Sequence, residues 1–342
     1  ASYAVESYQS LYLKVNFPIE FMVSAINNGG GFYRTEVYVH ECRTGGGKIH
    51  NPCVKQSLFE TTVYGEDVFL GFMHIEKLES RIANFIPEER EKNGDYISLE
   101  NFIKRVPVGI ETLQTLIFVG AFRFTGKPKN ELLIEARLLM IHFKPEYRLP
   151  TFFETPVQEY ELPTLKRNRF EDAFDEIEIL GFSVSCSPFD LLQTKYRSII
   201  MARHLPKYHK RQVRMLAYLI SRKHVPTKKG TMFFGTWIDA EGNFFDTAHF
   251  PDNLQQYPFQ GGGCYLLLGM VEVDFHFPTI TIFKMAKMPF IPDPRYAEDQ
   301  EKSYEIHKKI NEDVSMTTRN PYPQEHEIGL PRNKMVVEKD KV

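Results

Sequence analysis

The chain has 342 residues, of which 42% are hydrophobic and 25% are charged, and its formal net charge is −2. This is the composition of an ordinary globular protein with two or three domains. No apolar run approaches the roughly 18–20 residues of a membrane span and no secretory signal is present, so no membrane association is expected. Four scattered cysteines make no disulfide framework, which predicts a reducing, cytoplasmic location.

Residues 1–65 are predicted to be mainly helical. Helical spacing of apolar residues runs from Tyr3 to Asn27 with an interruption at Pro18, and returns from Val37 to Cys42. The pattern starts directly after Ala1 without an initiator Met, so we expect a piece of a longer protein. Two His and two Cys in this part resemble a zinc ligand set, but their spacing does not match the usual pairs and no metal site is predicted. These four residues are His40, Cys42, His50 and Cys53.

Residues 66–144 are predicted to form two helix–hairpin–helix units, Val68–Phe85 and Leu99–Phe124. Such hairpins can present backbone N–H groups to a phosphate, usually through glycines that let the backbone approach. The first hairpin, Ile75–Glu79, contains no glycine, so a purely structural helical domain is the alternative. The candidate phosphate-binding residues are Lys77 and Ser80 in the first unit and Val108 and Gly109 in the second.

The segment 144–163 is a proline-punctuated linker that contains Leu149-Pro150-Thr151-Phe152-Phe153-Glu154. Adjacent aromatic residues in an extended segment either fold back onto the protein or fill a partner's pocket. An acidic helix is predicted from Phe170 to Phe182, with Phe174 and Ile177 facing inward. Its clustered carboxylates are expected to be solvated rather than to hold Mg²⁺.

From Leu191 to Ile238 the chain carries eleven Lys and Arg residues and no Asp or Glu, which matches a phosphate backbone or, alternatively, a solvated basic face. The run leads into five predicted strands between 212 and 290, with a short helix between the third and the fourth. This is the layout of an OB-fold barrel, which binds single strands through aromatic side chains and a basic groove. Strand alternation lets only about half of the aromatic residues face outward. The candidate DNA-binding residues are Lys210, Arg211, Arg214, Arg222, Lys223, Lys228, Lys229, Phe233, Phe234, Trp237 and Phe244, with Phe245 as a further stacking candidate.

Several of these segments, in this order, resemble the C-terminal part of the alpha subunit of bacterial DNA polymerase III, a C-family replicative polymerase. The resemblance spans roughly residues 1–295 and is carried by the motifs Ser2–Lys14 with Pro18–Met22, Glu41-Cys42-Arg43 before Lys48-Ile49, Leu116–Phe122, and Leu180-Gly181-Phe182 with Ser187-Pro188-Phe189. It implies a multidomain α+β chain. The implied domains are the end of the polymerase fingers (1–65), a tandem helix–hairpin–helix domain (66–144), a clamp-binding linker and helix (145–194), a five-stranded OB-fold barrel (195–295), and a charged helix with a disordered tail (296–342).

The resemblance implies that the chain is the DNA-binding and clamp-binding part of a DNA-directed DNA polymerase, a nucleotidyltransferase. The catalytic palm would lie upstream, so we expect no catalytic residue and no cofactor here, an inactive fragment, and Mg²⁺ only in the parent's palm. Leu149, Phe152 and Phe153 would bind the sliding clamp, weakly because Leu149 replaces the family's Gln. Duplex product, single-stranded template and other replicase subunits are the further expected partners. A stand-alone OB-fold nucleic-acid-binding module, similar to a synthetase anticodon domain, and a protein-binding scaffold are the alternatives.

Overall fold

The computed structural model describes residues 2–29, 31–142 and 168–296. Leu149, Phe152, Phe153 and, except for its first residue, the predicted charged helix and tail (296–342) lie outside the described residues. Residues 1–294 form one compact unit and 295–342 a second. The α-helices of the described ranges are α1 (Ser2–Asn16), α2 (Pro18–Asn27), α3 (Thr35–Thr44), α4 (Ser80–Asn93), α5 (Leu99–Arg105), α6 (Ile110–Phe118), α7 (Lys129–His142), α8 (Glu171–Leu180) and α9 (Pro251–Gln256). The β-strands are β1 (Lys48–His50), β2 (Thr62–Tyr64), β3 (Asp67–Phe69), β4 (Gln212–Thr227), β5 (Gly230–Ile238), β6 (Phe244–His249), β7 (Cys264–Asp274) and β8 (Phe277–Lys287). No helix among these is long and apolar enough to cross a membrane.

The N-terminal helices form as the sequence predicts. Pro18 is the first residue of α2, where its missing N–H costs no intrahelical bond. α2 buries Met22, Val23 and Ile26 beside a three-stranded sheet of order β1-β3-β2, in which β1 is parallel to β3. Strands β2 and β3 are only three residues long, too short for a sequence period to reveal them.

Of the two helix–hairpin–helix units that the sequence predicts, one forms completely. The second unit forms as predicted, with α5 and α6 joined by Val106–Gly109. In the first unit α4 is a full helix, but strand β3 and one 3₁₀ turn at Phe72–His74 stand in place of the preceding helix. The close crossing of two chain segments at Gly71 accounts for this difference. A Cβ on Gly71 would lie 2.4 Å from the carbonyl oxygen of Phe59 in the other segment.

The acidic helix α8 forms, but the prediction of its faces is wrong. Asp175 and Glu176 are 3% and 0% exposed, whereas Ile177 is 39% exposed. Both carboxylates are satisfied inside the protein by partners distant in sequence. Lys129 Nζ lies 2.7 Å from Asp175 Oδ2. Glu176 accepts hydrogen bonds from Asn51 Nδ2 (2.6 Å) and from the backbone N–H of Val184 (2.8 Å) and Ser185 (2.7 Å).

The C-terminal part is the five-stranded OB-fold barrel that the sequence predicts, closed in the order β4-β5-β6-β8-β7. Strand β4 pairs with β7 through its first half and with β5 through its second half, with a bulge between Leu219 and Ser221. Strand β6 runs parallel to β8, and α9 lies between β6 and β7 in the chain. The barrel interior is filled by residues such as Trp237, Tyr265 and Val271.

Helix α3 packs against the outside of the barrel within the same compact unit. Val37 packs against Ile220 and Ile238. Two hydrogen bonds flank this apolar contact: Tyr218 Oη donates to Glu36 Oε2 (3.1 Å), and His40 Nε2 is 2.8 Å from the carbonyl oxygen of Gly242. Burial raises the pKa of Glu36 above its usual range. The barrel is therefore partly covered on its outer face by the N-terminal helices.

Candidate nucleic-acid interface

The second hairpin offers an uncapped helix start. Gly109 is the N-cap residue of α6, and no side chain accepts from the first-turn N–H groups there. A Cβ at Gly109 would meet nothing within 4 Å, so the space in front of the helix is open. Val108 beside it packs on the hydrophobic core. Free N–H groups at a helix start attract anions, and the open start of α6 leaves room for one.

The first hairpin has a different character. Lys77 takes the left-handed conformation (φ 68°) that glycine usually supplies in such a hairpin. Lys77 and Ser80 are both exposed, as a phosphate contact requires. Two exposed carboxylates, Glu76 and Glu79, lie on either side of Lys77 and repel an approaching phosphate. The two hairpins thus differ in backbone conformation, since no residue of 106–109 has a positive φ, and also in their electrostatic fields.

Trp237 is a core residue, and its prediction as a base-stacking platform is wrong. It is 0% exposed, donates from Nε1 to Thr247 Oγ1 (2.7 Å), and stacks on Phe259 with 6.1 Å between ring centroids. Phe245, paired with Trp237 across β5 and β6, is buried on the same inner face. Phe234 and Phe244 are 43% and 39% exposed on the outer face.

Arg222 and Phe233 lie together beside the aromatic cluster of the barrel core. The Arg222 guanidinium is 5.8 Å from the ring centroid of Phe233 and 5.3 Å from that of Phe259. Their neighbours Lys223 and Phe234 are paired directly across β4 and β5 and alternate to the opposite, outer face. The sequence candidates of this strand pair therefore divide between two faces.

The acid-free basic run does not form one patch. Lys210 and Arg211 directly precede β4, and Arg214 lies near its start, in the half that pairs with β7. Arg222 and Lys223 lie on the part of β4 that pairs with β5, close to Lys228 and Lys229 in the β4–β5 turn. Eleven residue steps, almost all along β4, separate Arg211 from Arg222 and span up to roughly 36 Å. Arg214 also contacts Tyr196, with 5.2 Å from the guanidinium to the ring centroid.

The β7–β8 turn carries aromatic residues that the sequence reading missed. Phe275 and Phe277 are 99% and 76% exposed, and both Phe275 and His276 have positive φ (48° and 69°). Two-residue hairpins with this geometry usually contain Asn-Gly, so large residues here are strained as well as exposed. That mismatch in the sequence Asp274-Phe275-His276-Phe277 is the signal that could have identified them. The β5–β6 face lies between this turn and the β4–β5 turn, the location where OB-folds bind oligonucleotides.

The four residues considered for zinc are engaged separately. His40 contacts Gly242, Cys42 is buried in the core with its thiol pKa raised to about 11 by burial, and His50 Nε2 lies 2.7 Å from Asp67 Oδ1. The backbone N–H of Cys53 donates to Ser57 Oγ (3.0 Å). Within the described ranges no group of three or more His, Cys, Asp or Glu residues is arranged to hold a metal.

Comparison with known proteins agrees with this geometry. A family model described as a helix-hairpin-helix motif matches residues 46–132. DNA polymerase III subunit alpha of Borreliella burgdorferi is 27% identical over 278 residues, covering 75% of this chain and 24% of that protein. The Saccharopolyspora erythraea subunit is 32% identical over 136 residues, covering 39% of this chain and 11% of that protein.

Among solved structures, the second OB-fold domain of replication protein A from Methanococcus maripaludis matches with 11% identity and a TM-score of 0.18, covering 24% of this chain and 86% of that one. This match is too distant to add to the strand order described above. The chain spans about a quarter or less of the length of its curated relatives. The chain contains the helix–hairpin–helix region and the OB-fold barrel that the resemblance implies. Across three quarters of its length it is similar to DNA polymerase III subunit alpha, the family that its sequence motifs predict.

Proposed function

We propose that this chain is the DNA-binding and clamp-binding C-terminal portion of a replicative DNA-directed DNA polymerase. One observation carries the proposal: a glycine-capped, open helix start and an OB-fold barrel with basic and aromatic surface residues occur in one compact unit. The similarity to DNA polymerase III alpha subunits supplies the polymerase context.

The α6 start would hold the duplex product. Backbone N–H groups contact phosphate oxygens and read no base, so they position a duplex irrespective of its sequence. A replicative polymerase requires this property, because every sequence passes through the same site. Gly109 supports the role because it admits the phosphate backbone close to the helix.

The β5–β6 face would hold the single-stranded template. Lys228 and Lys229 supply charge at one end of the face, and Lys223 and Phe234 form a cation and aromatic pair on its surface. Phe275 and Phe277 stand at the other end. Charge that tracks the backbone, combined with aromatic rings on which bases stack, is how proteins bind single strands of many sequences with at most modest preferences.

The two ends of β4 provide the test. Lys228→Ala combined with Lys229→Ala should weaken binding of a single-stranded oligonucleotide and reduce the slope of log K against log salt by roughly 1.4, since each contacting cation contributes about 0.7. Arg211→Ala combined with Arg214→Ala removes the same charge at the other end and should leave the slope unchanged. An equal loss for both pairs would contradict the proposed path, and full retention of affinity and slope by both would leave the basic run a solvated face.

The parent polymerase would join nucleotides by two-metal phosphoryl transfer in its palm, with Mg²⁺ bound there. We propose no catalytic residue in this chain. Asp175 and Glu176 are adjacent carboxylates, but Lys129 already forms an ion pair with Asp175, and Asn51 donates a hydrogen bond to Glu176. The isolated chain should therefore extend no primer with Mg²⁺ or Mn²⁺. Extension that disappears when a carboxylate of this chain is changed to alanine would overturn this part of the proposal.

Clamp binding would depend on the segment around Leu149, Phe152 and Phe153. Each phenylalanine buried in a clamp pocket should contribute roughly 1.5–3 kcal/mol. The double change Phe152→Ala, Phe153→Ala should lower clamp affinity at least about tenfold, with the melting temperature nearly unchanged. Strong destabilisation with unaltered clamp binding per folded molecule would show instead that the two residues fold back onto this protein. Contacts with other replicase subunits stay a prediction from the resemblance, and a cytoplasmic location stays a prediction from the scattered cysteines.

A further inference from the structure

A cleft of about 490 Å³ lies between the N-terminal helices and the outside of the barrel. Thr236, Phe244 and Asp246 line it from the barrel, and Tyr33 lines it from the loop before α3. We propose that this cleft accepts one nucleobase of a bound single strand and prefers a base with an exocyclic amino group. The inference rests on the proposed function, because it extends the template path across the β5–β6 face.

The cleft is continuous with that path. Thr236 lies one two-residue step along β5 from Phe234, so the two side chains share the outer face, and Thr236 is paired directly with Asp246 of β6. Each such step advances roughly 6.7 Å. Phe244 is a further step along β6 from Asp246. Phe277 of β8, beside the aromatic β7–β8 turn, also lines the cleft. A strand that starts at the β4–β5 turn and stacks on Phe234 reaches the cleft before it reaches the β7–β8 turn.

Two partly exposed rings face this space and are held in position. Phe244 is 39% exposed and meets the His40 ring edge-on, with 5.7 Å between centroids. Tyr33 is 37% exposed and packs against Phe32 (5.2 Å) and Tyr38 (6.5 Å). Rings fixed in advance stack on a base at a lower entropic cost than mobile ones. The volume falls within the range of about 300–1,000 Å³ typical of small-ligand sites.

Asp246 supplies the preference among bases. One of its carboxylate oxygens, Oδ1, accepts from Thr236 Oγ1 at 2.9 Å, and the other has no protein partner among the described residues. The second carboxylate in the cleft, Glu41, is already paired with Lys14 at 2.7 Å. A free carboxylate oxygen accepts from the amino group of cytosine or adenine, whereas thymine presents carbonyl oxygens beside its one ring N–H. The same charge repels phosphate, so the base enters the cleft and the backbone stays at its rim.

The test measures affinities of the whole chain for labelled single strands of roughly 12 nucleotides. The probes are oligo-dC, oligo-dT and an abasic strand of equal length. The wild type should bind oligo-dC about fivefold more tightly than oligo-dT, and the abasic strand most weakly. Asp246→Ala should abolish the preference for oligo-dC without weakening oligo-dT. Asp252→Ala removes an equal charge from exposed α9, outside the cleft, and should keep the preference.

Tyr33→Ala is the second variant, in case Asp246→Ala disturbs the barrel. It should lower affinity for oligo-dC roughly fivefold with an unchanged melting temperature, and leave the abasic strand unaffected. Equal binding of all three probes by the wild type, or a preference that survives in Asp246→Ala, overturns the inference while the proposed function stands. Failure of the wild type to bind any of the strands overturns both.

Discussion

The helix–hairpin–helix region and the barrel expose different kinds of surface at their proposed nucleic-acid sites. The first offers backbone N–H groups at one glycine, Gly109, and its side chains serve mainly to hold that backbone in place. The second offers side chains, with lysines in the β4–β5 turn and phenylalanines on an outer face, over a backbone that pairs with its neighbouring strands in the closed barrel. A backbone site suits a regular duplex, and a side-chain site suits flexible bases.

The interiors of the two regions are more alike than their surfaces. Each has a cluster of rings in contact, with Tyr96, Phe102 and Phe122 buried in one, and Trp237 and Tyr265 buried beside the partly buried Phe259 in the other. A neutral histidine also lies inside each part of the unit, hydrogen-bonded to a threonine. His74 Nε2 is 2.9 Å from Thr61 Oγ1, and His249 Nε2 is 2.7 Å from Thr247 Oγ1. Substitutions in either interior should therefore lower the stability of the protein. Substitutions on the two surfaces should instead affect the binding of different ligands, duplex DNA for one region and single strands for the other.

The largest effect should come from Trp237→Ala. Removal of this fully buried ring should lower the free energy of unfolding by about 3–5 kcal/mol. Phe234→Ala, three positions earlier on the same strand, should change it by no more than about 0.5 kcal/mol while weakening single-strand binding. Urea unfolding followed by circular dichroism, with oligonucleotide titration, measures both. Similar stability losses for the two variants would show that the division of β5 into inner and outer faces is incorrect.

Acid should act on both interiors through their histidines. Burial lowers the pKa of His74 and of His249 from 6.5 to about 4. Each contribution to stability is complete above pH 6.5, where both states are neutral, and is lost as pH falls toward 4, because only the unfolded state then gains the proton. The full loss is about 3 kcal/mol for each histidine. Unfolding measured across this range should show His74→Gln and His249→Gln each removing about half of the histidine-linked slope. An unchanged slope in either variant would contradict the assignment.

A carboxylate at Gly109 should separate folding from binding. Gly109→Asp places an N-cap acceptor on α6 and should stabilise the protein by a few tenths to about 1 kcal/mol. The same charge should repel a phosphate and weaken duplex binding severalfold, with single-strand binding unchanged. Gly109→Asn caps the helix without charge and is the matched control, so it should lose less affinity. Thermal melts and titrations with both DNA forms measure the three outcomes, and equal loss of duplex and single-strand binding would argue against two separate sites.

The smallest effect concerns the first hairpin. Lys77→Gly should relieve a left-handed lysine and change stability by about 0.5 kcal/mol or less in the favourable direction. Lys77→Ala removes the same charge but keeps the backbone strain, so it should not stabilise. Neither variant should alter duplex affinity appreciably, because Glu76 and Glu79 already disfavour phosphate at this hairpin. A large loss of duplex binding in both would show that the two hairpins bind DNA as a pair.

The sequence predicts elements whose signal is local and misses those whose partners are distant. The five barrel strands, the break at Pro18 and the α5–α6 unit each follow from a period or a turn residue within the segment itself. The buried face of α8 does not, since Asp175 and Glu176 are buried only because Lys129 and Asn51 meet them. The prediction for Trp237 is wrong for a related reason. Alternation along a strand assigns residues to two faces, but it does not show which face lies inside the barrel.

Because α3 packs against the barrel, the predicted domain boundary at residue 195 does not separate the barrel structurally from the N-terminal helices. A barrel isolated at residues 195–295 would leave Ile220 and Ile238 without Val37 over them, and Tyr218 without Glu36. It would gain an apolar patch beside the face proposed to bind single strands, and with it a tendency to self-associate. The same contact fixes the distance between the barrel and the N-terminal helices. A strand bound on the barrel would therefore lie at a fixed distance from any ligand bound by those helices.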